Sequence, residues 1–274
     1  MRADFVDIDW GMRGARLEIG WVGEETDAQA PLIVFLHEGL GSVAMWRRFP
    51  EQLCGALGAG GAGGAGGPRG LVYSRPGYGR STPRAAREAW APDFMHRQAH
   101  EVLPALLEAL HIDARTTPLW LFGHSDGASI ALLFAARAAV QPAGVVVLAP
   151  HIFVEDISVA SIAQTRTAYL EGDLRTRLAK YHDDVDSAFY GWNDIWLAPA
   201  FRGWSIEEEI ATLTCPLLAI QGQDDEYGTL LQVRGIAARV PQTRLLELPA
   251  CGHSPHRDRP DAVIHAVRGF MSGP

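Results

Sequence analysis

The sequence predicts an α/β fold, a mostly parallel sheet with helices on both faces, and three observations carry that prediction. Apolar runs of strand length alternate with longer helical patterns through most of the chain. The runs are apolar throughout, as strands buried on both faces must be. Residues 152–210 lack strand periodicity, and a compact domain does not leave so long a connection structureless, so they are expected to form an inserted helical unit.

In order along the chain, Asp4 to Asp9 and Ala15 to Val22 read as two antiparallel strands. Six further strands are expected at Leu32 to Leu36, Gly70 to Tyr73, Leu119 to Phe122, Val145 to Leu148, Leu217 to Ile220 and Thr243 to Leu248. Helices are expected over Met45 to Leu57, Phe94 to His111, Gly127 to Val140, Leu230 to Val240 and Arg259 to Phe270. In the second of these, Val102, Leu103, Leu106, Leu107 and Leu110 recur at three- and four-residue steps, which gives one buried face. Gly55 to Gly67 holds eight Gly in thirteen residues and reads as a flexible surface loop. It lacks the Gly-Lys-Ser/Thr ending of a phosphate-binding loop.

The chain has 274 residues, 47% apolar and 20% charged, so it folds around a core. That length allows one large domain carrying an insertion, with residues 1–151 and 211–274 as the core and 152–210 as a helical cap. A net charge of −8 gives no electrostatic footprint for nucleic acid or an anionic membrane, and a small-molecule partner is expected. The acidic first nine residues do not resemble a signal peptide, and no segment approaches 18 uninterrupted apolar residues. Cys54, Cys215 and Cys251 are odd in number and show no CxxC spacing, which argues against a disulfide framework and a zinc knuckle. The expectation is a cytoplasmic monomer or homodimer.

Gly123-His124-Ser125-Asp126-Gly127 fits G-x-S-x-G, in which a serine stands on a strained turn from strand to helix. The apolar run before it and the helix-forming run after it supply that context. A serine needs a base, and the base an orienting carboxylate, because a free hydroxyl is almost never ionised near neutral pH. His253 follows the last strand, with His256 as a fallback. Asp224 and Asp225 follow the strand at Leu217, and both remain candidates for the acid. The order serine, acid, histidine suits a nucleophile at a sheet's carboxyl edge.

On these motifs the sequence resembles the α/β-hydrolase superfamily over essentially its whole length. The resemblance implies the α/β-hydrolase fold, Ser125 as nucleophile, His253 as base and, through Gly222-Gln223-Asp224-Asp225, Asp225 as acid. His37-Glu38-Gly39-Leu40-Gly41-Ser42 is similar to the family's oxyanion loop, and Ser74 to Ser81 to its Arg-Gly-x-Gly-x-Ser segment. The implied oxyanion donors are the amides of Asp126 and Gly39, or of Leu40 if the loop is aligned one residue later. Glu38 departs from the family, which usually has glycine there. Glu38 and Asp126 either meet solvent and backbone or act on the substrate or on a neighbouring pKa.

Phe189, Tyr190, Trp192, Trp196, Phe201 and Trp204 crowd sixteen residues of the insertion, either to hold it together or to line a pocket. Leu40, His151, Trp192 and Trp196, with Glu38, are the possible substrate-binding residues. His182-Asp183-Asp184 offers too few ligands for a metal site, so neither metal nor cofactor is expected. A serine with a histidine base implies acyl transfer to water, and an esterase of small apolar or aromatic acyl groups leads. Cleavage of a C–C bond in a ring-cleavage product, thioester hydrolysis, removal of an N-terminal proline and a ligand-binding protein on the same fold are the alternatives.

Overall fold

The computed structural model describes residues 1–11, 13–23, 30–59, 67–85 and 88–273. One sheet contains β1 (Arg2–Trp10), β2 (Arg13–Val22), β3 (Leu32–Leu36), β4 (Arg69–Tyr73), β5 (Leu119–His124), β6 (Gly144–Leu148), β7 (Leu217–Gly222) and β8 (Thr243–Leu248). The order across it is β1-β2-β4-β3-β5-β6-β7-β8. β1 and β2 pair antiparallel, β2 meets β4 antiparallel, and every later pairing is parallel.

The continuous apolar runs are explained by a core on each face. Leu32, Val34 and Leu36 of β3 face one cluster, while Ile33 and Phe35 face the other. Chain order reverses at β3, which has β4 on one side and β5 on the other. Such a reversal opens a crevice at the carboxyl ends of the strands, where ligands of open parallel sheets bind.

The helices are α1 (Phe49–Ala59), α2 (Phe94–Arg97), α3 (Leu103–Ala109), α4 (Asp126–Arg137), α5 (Asp156–Glu171), α6 (Leu174–Leu178), α7 (Val185–Leu197), α8 (Glu207–Ile210), α9 (Leu231–Arg239), α10 (Pro255–Asp258) and α11 (Pro260–Met271). Two expected helices are subdivided. A 3-10 turn at Val43–Trp46 precedes α1, and Arg47 at φ 53° separates them, so that Trp46 and Phe49 both enter the core beside Phe122. Between α2 and α3 lies a π turn, Gln98–Val102, next to Pro104, whose missing N–H leaves the ladder one donor short. Pro260 starts α11 afresh after α10. Of the glycine-rich run, residues 60–66 lie outside the described residues.

Between β6 and β7, α5 to α8 and a 3-10 turn at Pro199–Phe201 form a helical insertion. Its ends meet: Phe153 bridges Ser205, and the Ile206 amide donates to Ile152 O at 2.8 Å. No helix among the described residues is long and apolar enough to cross a membrane.

Candidate active site

Ser125 occupies the turn from β5 into α4 at φ 53°, ψ −122°, a conformation a side chain rarely adopts. The strain is held by close backbone packing. A Cβ at Gly127 would lie 2.1 Å from Leu36 O, and one at Gly123 would lie 2.4 Å from Gly127 O. Both flanking positions therefore exclude any side chain, and the Ser125 amide is tied to Leu148 O at 2.9 Å.

His253, in the loop after β8, brings Nε2 to 2.9 Å from Ser125 Oγ and Nδ1 to 2.8 Å from Asp225 Oδ1. A carboxylate only accepts, so Nδ1 carries the proton and Nε2 accepts from the serine hydroxyl. Of the two sequence candidates for the acid, Asp225 is buried and bonded to His253, whereas Asp224 is exposed. The amides of Tyr227 and Gly228 and the Gln221 side chain also donate to Asp225. Burial pushes the His253 pKa down, but the Asp225 hydrogen bond and charge, with Glu226 and Glu38, outweigh it and raise the value above 6.5. Burial likewise raises Asp225, and the bond to His253 with its charge and the Tyr227 amide overcome it, leaving Asp225 below the usual carboxylate range. His256, the fallback base, instead packs between Trp46, Phe49 and His124.

Around Ser125 lies a cavity of about 160 Å³. Glu38, Gly39, Leu40, Asp126, His151, Trp192 and Trp196, all read from the sequence, line it, and so do Ile162, Thr165 and Tyr227, which were not. Tyr227 stands against the His253 ring at 4.8 Å between centroids, and its hydroxyl meets Thr165 Oγ1 at 3.0 Å. A regular spacing of hydroxyls in the insertion, Ser158, Ser161 and Thr165, is the one sequence signal that could have pointed to this contact.

Two tryptophans one turn apart on α7 sit on the two proposed donor residues. Trp192 Nε1 would be 2.1 Å from a Cβ at Gly39, so any side chain there must displace the indole or the loop. Trp196 Nε1 donates to Asp126 Oδ1 at 3.2 Å. Among the described residues, the amides of Gly39 and Asp126 have no hydrogen-bond acceptor.

The carboxylates that stand out in the sequence are both engaged. Glu38 approaches Arg257 at 3.2 Å and His124 Nδ1 at 3.5 Å, while His124 Nε2 donates to His253 O at 2.7 Å. Burial works against its charge, but His124 and Arg257 hold its pKa well below the usual range. Asp126 is fully buried, and desolvation raises its pKa despite Arg75 and Trp196. Burial and the neighbouring His253 push His151 down to about 3, so this ring is neutral. His182, whose neighbours looked metal-like in sequence, is a structural link: Gly79 N–H donates to Nδ1 at 2.9 Å and Nε2 donates to Leu40 O at 3.0 Å.

The fold and the sequence both have counterparts. Residues 33–266 match the model of the alpha/beta hydrolase family. A carboxylesterase structure from Nitrososphaera gargenis is similar at TM-score 0.74 with 16% identity, covering 97% of each chain. An enol-lactonase from Burkholderia xenovorans gives TM-score 0.68 at 20% identity, covering 94% of this chain and 97% of its own. Proline iminopeptidase from Mycobacterium smegmatis gives 0.68 at 18%, covering 98% and 97%. At these identities the likeness is one of fold. No curated protein sequence matches the chain.

Proposed function

Because the chain belongs to the alpha/beta hydrolase family and is a hydrolase, we propose that it cleaves carboxylic esters of small apolar or aromatic acids through an acyl-enzyme on Ser125. The observation that carries this reading is the relay of Ser125, His253 and Asp225, at 2.9 and 2.8 Å, beside an aromatic-walled cavity.

Ser125 Oγ attacks the ester carbonyl as His253 Nε2 takes its proton, and Asp225 steadies the imidazolium. Negative charge gathers on the carbonyl oxygen, where the amides of Gly39 and Asp126 donate to it. His253 returns the proton to the departing alcohol. Water then enters, gives a proton to the same nitrogen, and releases the acid. The insertion serves as a cap that supplies the cavity wall.

Cavity size sets the acyl group. At about 160 Å³ the space compares with the roughly 150 Å³ that accepts benzene in an engineered protein core, so one ring or a short chain fits. Glu38 is already paired with the Arg257 guanidinium, which favours an uncharged substrate over one bearing a free amine. Turnover of p-nitrophenyl acetate, butyrate, benzoate and decanoate by wild type and Ser125→Ala tests the reading. Saturable hydrolysis of the first three, lost in Ser125→Ala by roughly 10⁵-fold or more, is expected. Equal turnover by the two proteins, or a preference for decanoate, overturns it.

A further inference from the structure

Outside the reacting groups, one charged side chain stands out for its burial. Arg75, just past β4, is completely excluded from solvent, and its nearest carboxylate oxygen, Asp126 Oδ2, is 3.9 Å from Nη2. Its shortest side-chain bond goes to a backbone carbonyl, Glu38 O, at 2.8 Å. That carbonyl belongs to the peptide whose N–H is Gly39's.

We propose that Arg75 is a positioning residue for the oxyanion, holding and polarising the Glu38–Gly39 peptide so that its N–H presents to the reacting carbonyl. The inference rests on the esterase reading above. A trans peptide is planar, with C=O and N–H pointing in opposite directions, so whatever fixes the oxygen fixes the hydrogen. Three donors converge on Glu38 O: Arg75 Nη2 at 2.8 Å, the Gly41 amide at 3.0 Å and His37 Nδ1 at 2.7 Å. Arg75 also sets the third of these. Its own amide donates to His37 Nε2 at 3.0 Å, which leaves the ring proton on Nδ1, facing Glu38 O. Burial, then the Arg75 charge, keep His37 neutral and so preserve that tautomer.

The charge adds to the geometry. A cationic donor on a carbonyl draws electron density along the peptide and makes the same peptide's N–H a stronger donor, the more so where water is absent. The guanidinium cannot swing away, because its carbon lies 4.7 Å over the Tyr78 ring and Nε faces His37 Nε2 at 3.4 Å. An aliphatic or neutral side chain could fill the volume, but none would bring charge to this one peptide.

The test compares Arg75→Gln and Arg75→Lys with wild type on p-nitrophenyl butyrate. Working sites are counted by the p-nitrophenol released when an alkylphosphonate p-nitrophenyl ester labels Ser125, so that misfolded protein does not enter kcat. Removing a direct oxyanion donor costs about 10²- to 10³-fold; Arg75 acts through such a donor, and Arg75→Gln is expected to lower kcat per labelled site by roughly 10- to 100-fold. KM and inhibition by butyrate should stay within threefold, while affinity for butylboronic acid, which forms a tetrahedral adduct, falls with kcat. Arg75→Lys should recover part of the loss. A kcat per labelled site within threefold of wild type overturns the proposal, and so does a parallel loss of butyrate and boronate affinity. If Arg75→Gln yields no labelled sites, the same split in Arg75→Lys decides. Failure of the phosphonate to label Ser125 in wild type would instead sink the esterase reading.

Discussion

Helices α5 and α7 of the insertion reach opposite halves of the site by different chemistry. From α5, the hydroxyls of Ser158 and Ser161 donate to Tyr227 O and Glu226 O, each at 2.5 Å, and Thr165 Oγ1 meets the Tyr227 hydroxyl. These bonds tether the loop that carries Asp225. From α7, Trp192 and Trp196 cover Gly39 and Asp126, and the contact is made by large rings with one polar atom each. Asn193 Nδ2 donates to Ile162 O at 3.1 Å and ties the two helices together. The difference is one of redundancy. Three small hydroxyls share one loop, so each is dispensable, whereas each indole defines a wall that nothing else can supply.

The largest effect lies on the α5 side, in the loop those hydroxyls hold. Asp225→Asn should lower kcat about 10⁴-fold, as expected when the base loses its orienting carboxylate, while Asp224→Asn stays within twofold. Steady-state kinetics on p-nitrophenyl butyrate checks both, and a large loss in Asp224→Asn would reverse the assignment. The same loop sets the pH profile. In the proposed mechanism the base is neutral His253, whose pKa is raised, so kcat/KM should fall as pH drops through a midpoint above 6.5. Residual activity of Asp225→Asn should show that midpoint displaced to lower pH, and Glu38→Gln should move it the same way by less. An unchanged profile in Glu38→Gln removes that carboxylate from the account.

On the α7 side, Gly39→Ala should cost roughly 10²-fold in kcat, in the range for a lost oxyanion donor, because the new methyl displaces the Trp192 ring or its own peptide. Combining it with Trp192→Leu, which vacates that space, should restore part of the loss. Additive losses in the double variant would show that the two residues do not meet. The smallest effect is Thr165→Val. Loss of the hydroxyl's two hydrogen bonds, to Ser161 O and to the Tyr227 hydroxyl, should lower unfolding free energy by roughly 1–2 kcal/mol in urea titration and leave kcat within twofold. A tenfold drop in kcat would mean that the α5 tethers are not redundant.

Much of this was visible in the sequence, for identifiable reasons. The parallel strands were legible because burial on both faces leaves unbroken apolar runs, and the Ser125 turn because it demands glycine on either side. The choice between Asp224 and Asp225 was not, since neighbours in a loop differ only in which way the backbone turns them. Arg75 read as part of a loop motif; its bond to Glu38 O crosses 37 positions, and no local spacing encodes it. The structural role of His182 was hidden for the same reason, its partners Gly79 and Leu40 lying more than a hundred positions away. The break at Arg47 followed from tertiary packing of Trp46 and Phe49, which overrode a plausible helical run.

β3 and β5 pair in parallel, with Leu36 opposite Gly123. Neighbouring strands stand about 4.8 Å apart, and the loop carrying Gly39 leaves one of them where the turn carrying Ser125 leaves the other. The interval between an amide of the first and the hydroxyl of the second is thus gauged by the sheet's own hydrogen-bond ladder. Substitutions in the insertion can resize the chamber above while that gauge stays constant, so under the proposed reaction new acyl groups can be admitted without recalibrating the distance between donor and nucleophile.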